Sequence, residues 1–194
     1  MKKITLLLIS TLLVFALAAC SSTVTPKEVV EKGIASIKNL DIIQIQKYFN
    51  TDDISDENDL LGDDFEVENM EVFTLMTKNI SYEIIDETID GDEATVKAKI
   101  TNLNMTIIMG EYITQALALA FSQIGETEVD EAELEKQMED LLIGLLSKED
   151  NEMMSTEVDI KLSKIDEEWK IELNDDLINA LFGGLSNVVN EFQD

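Results

Sequence analysis

Apolar residues recur along this chain with two different periods, and the changes of period mark out its elements. Val29, Val30, Ile34 and Ile37 share one face of a helix opened by Thr25-Pro26-Lys27-Glu28. Thr serves as the N-cap, Pro suits the first helical position, and Glu falls three residues after the cap. Asn39-Leu40-Asp41 breaks that helix, and Ile42, Ile45, Tyr48 and Phe49 mark a short second one. Residues 50–64 are polar and acidic, after which the spacing predicts a third helix over about 65–77 with Phe65, Phe73, Leu75 and Met76 on its apolar face.

The period then becomes two. Ile80, Tyr82 and Ile84 alternate with Ser81 and Glu83; beyond Asp90-Gly91-Asp92, Ala94, Val96, Ala98 and Ile100 alternate with Thr95, Lys97, Lys99 and Thr101. This is a hairpin with a turn signal at its tip. The alternation slips at Ile84-Ile85-Asp86, which suggests a bulge and leaves the register open. Helical spacing returns from about Thr106 to Ile124, apolar on most sides. A second helix opens at Val129-Asp130 and carries Leu134, Met138, Leu141, Leu142, Leu145 and Leu146. Val158, Ile160 and Leu162 alternate again, Asp166-Glu167-Glu168 turns the chain, and Trp169, Ile171 and Leu173 form the return strand. Asn174 or Asp175 caps a last helix whose face runs from Leu177 to Phe192, with Gly183-Gly184 either kinking it or allowing close packing. The pattern predicts an α+β fold. An antiparallel sheet of about four strands packs with helices, and a helical insertion at about 106–146 separates two hairpins.

The amino end follows a different logic. Lys2-Lys3 precedes an apolar stretch from Ile4 to Ala16, the plan of a secretory signal. The stretch is shorter than the roughly 20 apolar residues of a membrane span. It closes on Leu17-Ala18-Ala19-Cys20, which looks like the lipobox of bacterial lipoproteins. Cys20 is the single cysteine of the chain and stands where lipidation requires it. Residues 1–19 are therefore expected to be a lipoprotein signal peptide, 20–24 a lipidated tether, and 25–194 one α+β domain. A diacylglyceryl group on Cys20 would partner the lipid bilayer, because two acyl chains give stable anchoring where one is marginal. The expected location is the outer face of the bacterial cytoplasmic membrane.

Composition narrows the chemistry. The chain has 194 residues, 45% of them apolar, with 14 Lys plus Arg, 41 Asp plus Glu and no His. All the basic residues are Lys. Without His there is no Ser-His or Cys-His catalytic pair and no imidazole zinc site. Without Arg there is no bidentate clamp for phosphate or carboxylate. Loss of Lys2 and Lys3 with the signal leaves 12 Lys against 41 acids, a net charge of −29. Such a surface repels nucleic acid, anionic headgroups and anionic wall polymers, within about 8–10 Å at physiological salt.

A short helical pair, an antiparallel meander and a closing strand Glu168-Trp169-Lys170-Ile171 resemble nuclear transport factor 2-like (cystatin-like cone) domains. The nearer likeness is to small uncharacterised lipoproteins of Gram-positive bacteria. It is carried by the lipobox, the break Lys38-Asn39-Leu40-Asp41, the segment Glu157-Val158-Asp159-Ile160-Lys161-Leu162, and Trp169-Lys170-Ile171 running into 177–185. The resemblance implies a curved sheet wrapping a helix and a surface location, over roughly 25–185. It implies no reaction, since such folds host enzymes and binding modules alike. The acidic stretch at 50–64 and the insertion at 106–146 depart from the pattern.

Three candidate sites arise. Tyr82 and Asp86 share a strand and could form an acid–base pair; the alternative is a core Tyr with a satisfied hydroxyl beside an Asp at a bulge. Asp86–Asp92 imitates the start of a calcium loop, but its twelfth position is Lys97 where a bidentate Glu is required, so it is a hairpin turn. The acids at 52–64 could collect Ca²⁺ weakly, although a solvated loop is the simpler reading. The helices at 106–146 could close a pocket or dock a partner, with core packing as the default; Trp169 reads as a core anchor. Asn79-Ile80-Ser81 and Asn104-Met105-Thr106 match the glycosylation sequon by chance, given the bacterial signal. The expectation is a non-catalytic lipoprotein with no cofactor and no metal, binding a small apolar ligand or a partner protein. The alternatives are a pocket-carboxylate enzyme or a weak divalent-cation binder.

Overall fold

The computed structural model describes residues 24–50, 70–122 and 131–187. The signal, the lipobox with Cys20, the acidic stretch beyond residue 50 and the proposed cap at Asp130 lie outside the described residues. In chain order the elements are α1 (Pro26–Lys38), α2 (Ile42–Tyr48), α3 (Met70–Thr77), β1 (Ser81–Asp90), β2 (Glu93–Leu103), α4 (Met105–Ser122), α5 (Glu131–Leu146), β3 (Met153–Ile165), β4 (Glu168–Ile171) and α6 (Asp175–Leu181). The strands form one antiparallel sheet in the order β1-β2-β3-β4, so the α+β expectation and the helical insertion between two hairpins both hold.

Local chemistry sets the first elements. At α1 the Glu28 N–H donates to Thr25 Oγ1 and the Thr25 N–H donates to Glu28 Oε2, both at 3.2 Å, completing the expected capping box. The helix stops where Leu40 enters the left-handed region at φ 52 and the Asp41 N–H turns back to Ser36 O at 2.9 Å. Asp41 then caps α2 by accepting the Gln44 N–H. Val29, Val30, Ile34 and Ile37 are buried as their spacing requires, against an inner sheet face of Val96, Ala98, Ile100, Val158, Ile160 and Leu162. Gly33 lets this helix come close, since a Cβ there would meet Ile171 Cδ1 and stand 3.2 Å from Phe49 Cε2. The opposite sheet face is polar, with Lys97 paired to Glu157 at 3.0 Å across β2 and β3.

The suspected bulge is real and has a consequence. Ile84 opposes Ala98 and Asp86 opposes Lys97, which leaves Ile85 as the extra residue. Beyond it the inward positions become 87 and 89 instead of 86 and 88. Glu87 thereby reaches the start of α1, where its Oε1 accepts the Lys27 N–H at 2.7 Å. One inserted residue converts a solvent-facing carboxylate into a long-range cap for the first helix.

A second core joins α3, α4 and α5 through Met76, Leu103, Met105, Ile108, Leu145 and Leu146. Asn102 stitches it to the sheet: its fully buried Nδ2 donates to Met76 O at 2.8 Å and to Leu181 O at 2.7 Å. Phe182 lies between the two cores, edge-on to Phe73 at 5.6 Å.

One expectation is sharpened and one needs correction. The last helix is interrupted at Gly183-Gly184, the pair read as kinking it or allowing close packing: α6, capped by Asn174, ends at Leu181, and a further turn begins only at residue 185. The cause is Gly183 and Gly184, with φ 55 and 86, and the docking of Gly183 O on the Met105 N–H at 2.9 Å. Core packing of the insertion holds only at its base. In α4, Met105 and Ile108 are buried, whereas Ile107, Leu117 and Phe121 leave an apolar stripe open among the described residues, Phe121 being 66% exposed. By length and composition α4 could cross a membrane, yet its base belongs to the second core.

Candidate functional site

The ends of both hairpins and the start of α1 converge on a cleft of about 560 Å³. Thr25, Pro26, Val29 and Lys32 supply one wall from successive turns of α1, and Lys47 and Tyr48 come from the end of α2. Ile89 enters from β1, placed inward by the bulge, and Lys164, Glu167, Glu168 and Trp169 come from the β3–β4 turn. Val24 forms part of the rim.

The β3–β4 turn has two residues, Asp166 and Glu167, both left-handed at φ 50 and 66. That is the sense of a primed hairpin turn, usually built with Asn-Gly. Asp tolerates it through its short polar side chain, while Glu167 adopts it at a cost of about 1–2 kcal/mol. The strain lies at the mouth of the cleft.

Charges and rings alternate around the wall. Lys164 Nζ sits 4.9 Å from the Trp169 ring centroid and 3.4 Å from Asp92 Oδ1. Lys47 Nζ lies 5.4 Å from the Tyr48 centroid. Lys170 Nζ donates to Lys47 O at 2.6 Å and to Glu168 Oε2 at 3.2 Å, fastening the end of α2 to β4. The Asn50 N–H donates to Ile171 O at 2.8 Å and extends the same join. The arrangement can hold a ligand with an apolar body; of its polar groups, Glu168 is engaged by Lys170 and the Thr25 hydroxyl serves the helix cap.

The Tyr82–Asp86 pair is not assembled. Tyr82 opposes the inward-facing Ile100, whereas Asp86 opposes the outward-facing Lys97, so the bulge sends the two side chains to opposite faces. Tyr82 is also not the core residue of the alternative reading, being 39% exposed. Partial burial, and then the charge of Glu31, push its phenol above the usual tyrosine value, the wrong direction for a base. Because the folded value is raised, the linked stability is intact below about pH 10 and is lost as pH rises through the folded pKa. Urea midpoints at pH 9 and pH 11 are expected to fall less for Tyr82→Phe than for the parent. An equal fall would show that this phenol does not carry the linkage. Among the described residues no group of three acids is placed to hold a metal; the acids at 52–64 lie beyond them.

Sequence reasoning identified Trp169 as a core anchor, and it is one, at 9% exposure, but it also floors the cleft. Lys32, Lys47, Lys164, Tyr48 and Ile89 went unnoticed as a group. They lie on four separate elements, and only the bulge turns Ile89 inward. Lys47-Tyr48 at the end of α2 was the one local signal.

No protein-family model matches the chain, and no curated protein matches it. Among solved structures, a candidate lipoprotein of Bacillus subtilis (ycdA) is 15% identical with a TM-score of 0.41 over 80% of this chain. The chain spans about half of that protein, 47% of its length. An LEH-like epoxide hydrolase of M. tuberculosis is 14% identical with a TM-score of 0.31, over 86% of this chain and 96% of that one.

Proposed function

We propose that this protein is a lipid-tethered binding module on the outer face of the bacterial cytoplasmic membrane. It is anchored through a diacylglyceryl group on Cys20, and its cleft takes a small ligand with an apolar body and performs no chemistry on it. The observation that carries the reading is the cleft itself: aromatic and aliphatic walls, with Glu168 engaged by Lys170, at the end of the domain where the tether enters. The helical pair packed on an antiparallel four-stranded meander supports assigning the domain to the nuclear transport factor 2-like cone architecture. Missing His and Arg favour binding over catalysis.

The test uses Trp169, the single tryptophan of the chain. Dodecyl maltoside below its critical micelle concentration is expected to shift Trp169 emission to the blue in a saturable way. In cells, Cys20→Ala is expected to abolish lipid labelling and release the protein from the membrane fraction. A flat Trp169 titration would refute cleft binding, and a labelled, membrane-bound Cys20→Ala variant would refute the anchor.

A further inference from the structure

We infer that the cleft receives the headgroup of an acidic phospholipid from the bilayer in which the domain is anchored. This rests on the tethered-module reading above and adds the class of ligand.

The first argument is position. Val24, on the rim, is four residues from Cys20. Four residues span at most about 14 Å when fully extended. With Cys20 acylated, the mouth of the cleft cannot stand farther than that from the headgroup layer. The stem of the α4–α5 arm lies at the other end of β2, a strand of 11 residues, roughly 34 Å away. The tether therefore selects which end of the domain faces lipid.

The second argument is charge. Acids outnumber lysines about three to one along the chain, 41 to 14. The cleft departs from that ratio, with Lys32, Lys47 and Lys164 against Glu167 and Glu168, Lys164 being paired to Asp92 at 3.4 Å. Glu168 is matched by Lys170, while Lys32 and Lys47 form no ion pair among the described residues. Screening over about 8 Å at physiological salt hides most of the acidic surface from a group inside the cleft. What that group meets is the local lining, where Lys32 and Lys47 are the cations without an ion pair among the described residues and Glu167 stands at the mouth.

The third argument is the form of the wall. The start of α1 offers no spare donor: the Lys27 N–H is taken by Glu87, the Glu28 N–H by Thr25 Oγ1 and the Val29 N–H by Thr25 O. An anion in the cleft is thus held by ammonium groups, with Lys47 and Lys164 steadied over the Tyr48 and Trp169 rings. Below the charges, Val29, Ile89 and the rings offer an apolar surface. A phosphate joined to a glyceride matches that order of charge and apolar contact.

The mature lipoprotein, reconstituted in vesicles, tests the inference through acrylamide quenching of Trp169. Vesicles of phosphatidylcholine alone are compared with an equal mixture of phosphatidylcholine and phosphatidylglycerol. The expected result is at least a twofold drop in the quenching constant in the mixed vesicles only, lost in Lys32→Gln/Lys47→Gln. Both lysines are exposed, so the double variant should fold. Unlipidated protein is expected to partition to mixed vesicles about 25-fold less well with both replacements, at about fivefold per lysine near an anionic surface. Equal protection in both vesicle types, or protection that survives the double variant, would overturn the inference while leaving the module intact. Protection by inorganic phosphate without vesicles would assign the site to a soluble anion and overturn the lipid source. Absence of protection everywhere would also overturn it, and the dodecyl maltoside titration then decides whether the cleft binds at all.

Discussion

Replacing Gly183 with Ala is expected to remove about 4 kcal/mol of folding stability, combining a left-handed residue with an overpacked contact. Gly183 has φ 55, and a Cβ built there collides with the backbone carbonyl of Leu103. That carbonyl belongs to the last residue of β2, and the Met105 N–H just beyond it donates to Gly183 O. Neither partner can yield without pulling α6 off the sheet. Gly184 provides the control. Its φ of 86 is as demanding, but its nearest neighbours are side-chain atoms, Thr106 Oγ1 at 2.9 Å and Met154 Sδ at 3.2 Å. Gly184→Ala is therefore expected to lose only about 2 kcal/mol, the left-handed penalty plus a small shift of those side chains. Urea unfolding of both variants measures the difference. Equal losses would mean that the Leu103 carbonyl imposes no steric limit.

The second large effect is expected at Asn102. Its Nδ2 serves two carbonyls on different elements, Met76 O on α3 and Leu181 O on α6. Its Oδ1 has no partner among the described residues. Asn102→Asp sets a carboxylate against those two oxygens with no proton to offer, and about 4 kcal/mol or more should be lost at neutral pH. Burial would raise the folded pKa of the new carboxyl above its unfolded value of about 3.9, so the variant loses stability as pH rises through that window and recovers part of it on acidification. Asn102→Leu also strands the two carbonyls but carries no titrating group, and should lose about 2–3 kcal/mol at every pH. Thermal unfolding of the two variants at pH 4 and pH 7 separates the charge from the lost donors. If Asn102→Asp is no worse than Asn102→Leu at pH 7, the buried-carboxylate argument fails.

Much of the fold was legible because its signals are local. Thr25-Pro26-Lys27-Glu28 needs nothing distant to form a capping box, and Asp90-Gly91-Asp92 turns a hairpin by its own backbone. The slip at Ile84-Ile85-Asp86 announced a bulge because alternation is a nearest-neighbour property. What escaped was everything set by meeting. The periodicity of 177–192 says nothing of the Leu103 carbonyl that holds Gly183 and ends α6. The apolar face of α4 reads the same whether it meets a core, as at Ile108, or solvent, as at Phe121. The cleft escaped for the same reason, since Lys32, Lys47 and Lys164 are unremarkable on their own elements and acquire meaning only in one cavity. Tyr82 and Asp86 failed as a pair through the residue between them that the strand leaves over.

The outer strand of the sheet bears on how copies of this protein meet one another. Under the anchoring proposed above, copies would be confined to a plane and would meet far more often than in bulk. An open strand is then a hazard, because two copies can pair edge to edge and grow into a ribbon. Among the described residues β1 is such an edge, and it carries Glu83, Asp86, Glu87 and Asp90, no lysine, and a bulge that interrupts its ladder. Copies approaching through this strand bring carboxylate against carboxylate on mismatched backbones. The irregular residue that steers Glu87 to the first helix also breaks the regular ladder that edge-to-edge pairing would need.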